Sequence, residues 1–472
     1  MGEQPGGTLR ALLRQTADHA ADFYEALDER PVSVTAGVRE LREVLGRPLP
    51  DGPMDASQVI AELVRDAEAG LLGSAGGRFF GWVIGGSVPA ALAADWLTSA
   101  WDQNAALYAC APAEAVAEEI CGVWLKDLLS LPAHASFALV TGTQMGHATA
   151  LAAARNKLLA ERGWDVERRG LAGAPPIRII TGGQQHASID RAVRLLGLGT
   201  DAIINAGADP QGRLDPAGLS RELGSGDGPA IVCLQAGEIN TGSFDDFTQA
   251  CRIAHARSAW VHVDGAFGLW AAVSRRYRHL LAGVDAADSW TTDAHKWLNV
   301  PFDCGLVFTA HPALHRAAMS ITASYLIRAA GTGCASPREQ IDYNPEWSRR
   351  GRGFAVYAAI RSLGRSGIAQ IIDDCCDHAR RLTAGIGALP GAEVLREAQI
   401  NQGLVRFTDP CGDHDSRTDR VIARVQQDGH AWFGATTFNG IRALRISVVN
   451  HRTTGHDIER AITAVHDALT RT

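Results

Sequence analysis

The chain has 472 residues, of which 46% are hydrophobic and 21% charged. That composition supports a substantial core and excludes disordered, collagen-like and small disulfide-stapled classes. Its 45 basic and 52 acidic residues leave a net charge of −7, which argues against nucleic acid or an anionic membrane surface as a partner.

The nine cysteines are odd in number and show no C-x-x-C pair and no metal-ligand spacing. No metal is expected, and a reduced, cytoplasmic protein is the reading. The first thirty residues are charged and lack an apolar h-region, so no secretory signal is expected. No uninterrupted apolar run of about 18 residues marks a membrane span.

Residues 1–75 read as a helical segment broken at 46–53 and 70–77, with Ile60, Leu63 and Val64 at core spacing. From 76 to 347 short apolar runs alternate with helix-period segments. Strands are predicted at 137–140, 177–181, 202–205, 230–234, 260–263, 289–291 and 305–309, with helices such as 148–159 and 189–196 between them. This alternation predicts a large α/β domain with a mainly parallel sheet. Residues 348–472 read as a smaller α+β domain, with helices at 355–363, 368–386 and 456–469 and strands at 403–407 and 444–449. Ligands of open α/β sheets gather beyond the carboxyl ends of the strands. Residues that follow strands directly are therefore the ones to weigh.

Lysine occurs only at 126, 157 and 296. Arginine stays protonated, whereas lysine can lose its proton and act as an amine nucleophile. Lys126 and Lys157 lie in helical contexts and read as solvated helix faces. Lys296 follows a short strand in Asp293-Ala-His295-Lys296-Trp-Leu-Asn, among the aromatic and aliphatic neighbours that suit a desolvated, reactive amine.

Asp264 ends the apolar run Trp260-Val-His-Val-Asp264 and precedes Gly265 and Ala266, leaving room for a flat ligand. A buried carboxylate there needs a cationic or hydrogen-bonding partner. The pyridinium nitrogen of pyridoxal phosphate is one such partner; a turn-capping role is the plain alternative. His186 follows Ile179-Ile-Thr-Gly-Gly-Gln-Gln and opens a helix, where it could stack on a ring and carry a proton, or simply start the helix.

Val140-Thr-Gly-Thr143-Gln144 is again strand, turn and helix, and helix N-termini bind phosphate through orphan donors. There is no P-loop, dinucleotide glycine fingerprint, H-E-x-x-H or G-x-S-x-G. Asp409-Pro-Cys-Gly-Asp-His-Asp415 reads as a solvated turn rather than a metal cluster.

Taken in order, His186, Asp264-Gly-Ala266 and Asp293-Ala-His295-Lys296 resemble the group II pyridoxal-phosphate-dependent amino-acid decarboxylases. That family includes the aromatic amino-acid, glutamate and diaminobutyrate decarboxylases. The likeness runs from Arg78-Phe-Phe-Gly-Trp82 through Ser348-Arg-Arg350 to Ala443-Leu-Arg-Ile-Ser447. It implies the aspartate-aminotransferase-like fold, fold type I, and a homodimer with active sites at the interface. It also implies that Lys296 forms the internal aldimine, Asp264 pairs with the pyridine nitrogen, Ala266 packs under the ring and His186 stacks over it. His295 and the Thr143–Gln144 turn would hold the phosphate, and Asp293 would join the cofactor-binding set.

Two segments depart from the family pattern. Its Gly-Gly-Ser/Thr-Glu-Ala segment stands here as Gly142-Thr-Gln-Met-Gly146, and its Gly-Thr-Thr loop as Gly237-Glu-Ile239. The family's mobile, protonating tyrosine is assigned to Tyr343, with Tyr325 second.

The implied reaction is decarboxylation of an L-amino acid to an amine and carbon dioxide. A neutral, apolar or aromatic substrate is expected, because the family's side-chain segment is aromatic and aliphatic here after Arg78, itself read as solvated. The alternatives are an aminotransferase, a decarboxylating aldehyde synthase and a cofactor-binding protein that has lost catalysis.

Overall fold

A strand covered by helices on both faces must be apolar on both, and the predicted apolar runs do become such strands. The computed structural model describes residues 8–321 and 337–472. Its large sheet comprises β1 (Ser136–Val140), β2 (Arg178–Thr181), β3 (Ile203–Asn205), β4 (Ala230–Gln235), β5 (Trp260–Asp264), β6 (Ser289–Asp293) and β7 (Gly305–Thr309), in the order β1-β7-β6-β5-β4-β2-β3.

The pairs from β6 through β5, β4 and β2 to β3 are parallel, while β7 runs antiparallel to both β6 and β1. Strands β1 to β6 therefore all point one way, and their carboxyl ends form one edge. Every residue of β1, β4, β5, β6 and β7 is buried.

A second, antiparallel sheet contains β8 (Ala392–Arg396), β9 (Gln402–Phe407), β10 (Gly434–Phe438) and β11 (Ile441–Ser447), in the order β10-β11-β9-β8. Helices Gly353–Gly387 and His414–Asp428 pack on it, and Gly455–Thr470 packs against those two helices. The helices expected at 355–363 and 368–386 meet at Gly364, whose φ of +60° interrupts the helical path. One hydrophobic core runs through both sheets. Strands β8 and β10 escape the sequence pattern, because both are partly exposed and lack a continuous apolar run.

Helices Leu9–Ala26, Val38–Leu45 and Ala56–Ala67 fill the expected N-terminal segment, yet none buries a residue. The spacing of Ile60, Leu63 and Val64 thus marks no core within this chain: the first and last are half-buried, and Leu63 is exposed.

Arg78 corrects another expectation. It is 2% exposed, and its guanidinium donates to the carbonyls of His430, Leu27, Asp28 and Arg30 at 2.8–3.2 Å. It neither faces solvent nor turns toward a ligand. The segment it begins pairs with the C-terminal domain, with Phe80 N donating to Trp432 O and Trp432 N to Arg78 O. Phe79 stacks on Trp432 and Phe80 on Phe433.

Substituting Arg78→Met keeps the stem but leaves four carbonyls without their donor, so the protein should lose roughly 2–4 kcal/mol of stability with its substrate preference unchanged. A denaturation midpoint within experimental error of the parent would contradict this role, as would a changed preference between acidic and neutral substrates.

Candidate active site

Five strand ends of the large sheet converge on one cavity of about 400 Å³, a size that suits a small ligand. Strand β5 ends in Asp264, which is 7% exposed. Its Oδ1 accepts from Ala266 N at 3.1 Å, the turn-capping role, and its Oδ2 stands 3.5 Å from His147 Nε2. Burial acts to raise its pKa. His147, Lys296 and His186 outweigh that effect and hold the carboxyl well below the usual range.

Strand β6 ends in Asp293, and the turn that follows carries His295 and Lys296. Buried Trp297 and Leu298 anchor the turn. Asp293 divides its oxygens: Oδ1 accepts from Thr143 N at 2.7 Å, and Oδ2 lies 3.1 Å from Lys296 Nζ. His295 Nδ1 accepts from Cys304 N at 3.2 Å, and its Nε2 lies 3.7 Å from Asp293 Oδ2. Burial pushes the His295 pKa down, against the pull of Asp293.

Strand β2 leads through Gly183, at φ +81°, to His186, the N-cap of helix Ala187–Leu195. The Nδ1 of His186 accepts from Ser188 N at 3.2 Å and pairs with Ser188 Oγ at 2.7 Å. Its ring also lines the cavity, so the capping and pocket-wall readings both describe it. Desolvation lowers its pKa, opposed by Asp264.

After β4, Gly237 has φ +88°, and a Cβ there would stand 2.9 Å from the Phe267 ring. Only a glycine lets this turn pass so close to that wall. Beyond β1, Gly142 meets the start of β7: a Cβ on Gly305 would fall 2.4 Å from Gly142 Cα.

The same turn opens helix Thr143–Ala160. Thr143 and Gln144 line the cavity, and Thr143 Oγ1 and Gln144 Nε2 are buried with no hydrogen-bond partner among the described residues. Buried polar atoms without partners are costly. Two of them at a helix N-terminus fit the phosphate of pyridoxal phosphate; Asp264 fits its ring nitrogen, and Lys296 its carbonyl carbon.

The cavity thus gathers Lys296, Asp264, Ala266, His186, His295, Thr143, Gln144 and Asp293. It does not include Tyr343. That ring packs under the Arg338 guanidinium at 3.8 Å and edge-on to His315, against a cluster from β1 and β7, and its carbonyl accepts from His315 Nε2. Tyr343, expected to have a protonating role, thus stands apart from the cavity of its own chain, and Tyr325 lies outside the described residues.

Sequence reasoning also passed over Arg191, Gln235 and Phe267 on the wall. Arg191 lies in the second turn of the helix that His186 caps. The turn at Asp409 is closed by backbone bonds to Asp409 Oδ1 and His414 Nδ1, and among the described residues no cluster of metal-binding side chains occurs.

A family model described as the pyridoxal-dependent decarboxylase conserved domain matches residues 39–408. The chain is similar to an aromatic-L-amino-acid decarboxylase of Bacillus atrophaeus, 26% identical over 95% of this chain and 93% of the relative. It is also similar to an L-2,4-diaminobutyrate decarboxylase of Rhizobium meliloti (strain 1021), 28% identical over 80% and 75% of the two chains. A crystal structure of Oryza sativa TDC with PLP and tryptamine superposes with a TM-score of 0.92 at 22% identity, covering 100% of this chain and 99% of that one.

The other two lysines are already engaged. Lys126 Nζ donates to the carbonyls of Ala133 and Ala135, and Lys157 pairs with Glu161 on a helix surface. Borohydride reduction of the protein loaded with pyridoxal phosphate should therefore fix the label on the peptide that contains Lys296. A label on Lys126 or Lys157 would overturn the assignment.

Proposed function

The chain belongs to the pyridoxal-dependent decarboxylase family, and from that premise we propose that its cavity decarboxylates a neutral, apolar or aromatic L-amino acid to the amine. The observation that carries this reading is the convergence of the Lys296 amine, the ionised Asp264 and the unpartnered donors of Thr143 and Gln144 in one cavity. Family membership makes the protein an amino-acid carboxy-lyase dependent on pyridoxal phosphate. It favours that activity over transamination or lost catalysis.

When bound, pyridoxal phosphate supplies an electron sink for the pair left as the bond between Cα and the carboxylate breaks. The residues of the chain do the remaining work. Lys296 Nζ would hold the cofactor and give way to the substrate amine, with Asp293 Oδ2 receiving the displaced ammonium 3.1 Å away. Asp264 would keep a proton on the ring nitrogen, and Ala266 leaves space beneath the ring.

His186 has its Nδ1 committed to Ser188 and can hold or pass a proton at Nε2. His186, on the cavity wall, is the group proposed to return the proton to Cα. His295, Thr143 and Gln144 would fix the phosphate end, so that the substrate's carboxylate is held in a constant orientation.

The substrate reading rests on the groove beside the cavity, which shares Ile239 with it and is lined by Trp82 and Trp432. Those two rings lie 4.4 Å apart, centroid to centroid. Arg445 lines the same groove and would meet a carboxylate there, which is why acids belong in the test. The relatives named above act on aromatic amino acids and on diaminobutyrate, so both classes belong in it as well.

The proposal includes a homodimer. Leu9, Leu13, Val38, Leu45 and Leu63 of the N-terminal helices are exposed, and Val116, Ile120 and Val123 form an exposed apolar stripe on helix Pro112–Leu128. Such faces are commonly covered by another copy. A cytoplasmic location is proposed from the free thiols: all eight cysteines among the described residues are unpaired. Among those residues no helix is long and apolar enough to cross a membrane.

Carbon dioxide release from valine, leucine, phenylalanine, tryptophan, glutamate and 2,4-diaminobutyrate should favour one or more of the first four, from a species of twice the chain mass by light scattering. Apolar pockets discriminate by only about 1–3 kcal/mol per methylene, so several related substrates should react. Release from glutamate or diaminobutyrate alone would overturn the substrate reading, and an active single chain would overturn the dimer.

A further inference from the structure

One face of β5 is polar although the strand is buried. Alternate residues share a face, and here these are Trp260, His262 and Asp264, while Val261 and Val263 point the other way. His262 Nδ1 lies 2.9 Å from Ser289 Oγ on the neighbouring β6, and the Trp260 indole N–H donates to that same oxygen at 2.9 Å. His262 Nε2 lies 2.9 Å from Nδ1 of His147, which stands in the first turn of helix Thr143–Ala160. His147 is wholly buried. Its remaining nitrogen, Nε2, faces Asp264 Oδ2 at 3.5 Å and has no closer partner among the described residues. Thr291 Oγ1 stands 3.4 Å from His147 Nδ1.

The two ends of this chain of groups fix its direction. The indole can only donate, and an ionised carboxylate can only accept. With one proton on each imidazole, Ser289 accepts from Trp260 and gives its own proton to His262 Nδ1. His262 then carries its proton on Nε2 and donates to His147 Nδ1, which leaves the His147 proton on Nε2, aimed at Asp264. The opposite direction would set an imidazole lone pair against a buried carboxylate. Burial holds the His262 pKa down at about 3, so that ring is neutral, as the relay requires.

We propose that His147 is a positioning residue that fixes Asp264 as an anion aimed into the cavity, with His262, Ser289 and Trp260 setting its tautomer. The proposal rests on the decarboxylase reading of the cavity only for its consequence, since the relay itself lies in the chain. Gly146 helps to make the geometry possible: a Cβ there would stand 2.7 Å from Thr291 Cγ2, so a side chain would push the first turn of the helix, and His147 with it, away from the sheet.

Nitrogen-15 spectra of histidine-labelled, cofactor-free protein test the relay directly. His147 should carry a proton on Nε2 and His262 a single proton, and a His147 Nε2 without its proton would overturn the proposal. His147→Leu should weaken binding of pyridoxal phosphate to the cofactor-free protein and lower kcat, each by about ten- to a hundred-fold as outer partners of a bound group commonly do, with KM little changed. His147→Gln can place an amide N–H where Nε2 stands and should recover most of both losses. Equal losses in the two variants, or none in either, would overturn the proposal. If His147→Leu does not fold, the spectra of the parent protein still decide. Absence of turnover on any amino acid in the parent protein would sink the decarboxylase reading while leaving the tautomer result standing.

Discussion

A carboxylate that is 7% exposed has lost most of its hydration, and that loss drives it toward the neutral form. Asp264 stays ionised because His147, Lys296 and His186 surround it. The rest of the site depends on this balance. An anion at the end of β5 would give a ring nitrogen something to hold its proton against, and these neighbours make that anion tolerable in so dry a place. Asp293 has the matching role at the end of the adjacent strand, β6. It ties the turn after β1 to the turn after β6 through Thr143 N and Lys296 Nζ, so two ends of the cavity are set by a single side chain.

The architecture explains why these groups meet. Six strands run in one direction, so residues far apart in the chain arrive at one edge of the sheet. The reversed β7 returns from that edge and closes the turn at Gly142, where only glycines can approach so nearly. The C-terminal domain contributes through the segment at Arg78, which pairs with it by backbone hydrogen bonds to Trp432, while the Arg78 guanidinium ties His430 to Leu27, Asp28 and Arg30 of the N-terminal segment. Trp82 and Trp432 reach the groove from those two stretches of chain.

Much of this is legible in the residues. Lys296, Asp264 and His186 stand out because each follows a strand, and fully buried strands are short apolar runs with sharp ends. The scarcity of lysine narrows the amine to three candidates, and the structure shows the other two engaged elsewhere. What stays hidden has physical reasons. His147 lies within a motif whose visible signal is its phosphate donors, and only the packing of helix Thr143–Ala160 on β5 reveals its neighbour. Arg78 looks like a solvated segment edge, since four backbone carbonyls leave no mark in a sequence. Tyr343 stands out by its local context, but its ring is held between Arg338 and His315. The edge strand β10 and the half-exposed β8 lack the continuous apolar runs that mark the others.

The central claim is that the negative charge on Asp264 drives the chemistry of the cavity. Asp264→Asn keeps the shape and removes the charge, so turnover of the best amino acid is the measurement that tests it most directly. The account predicts a fall of about 10²- to 10⁴-fold, with the fold intact and Lys296 still labelled by reduction. Turnover within a few-fold of the parent protein would contradict it and point to another carboxylate.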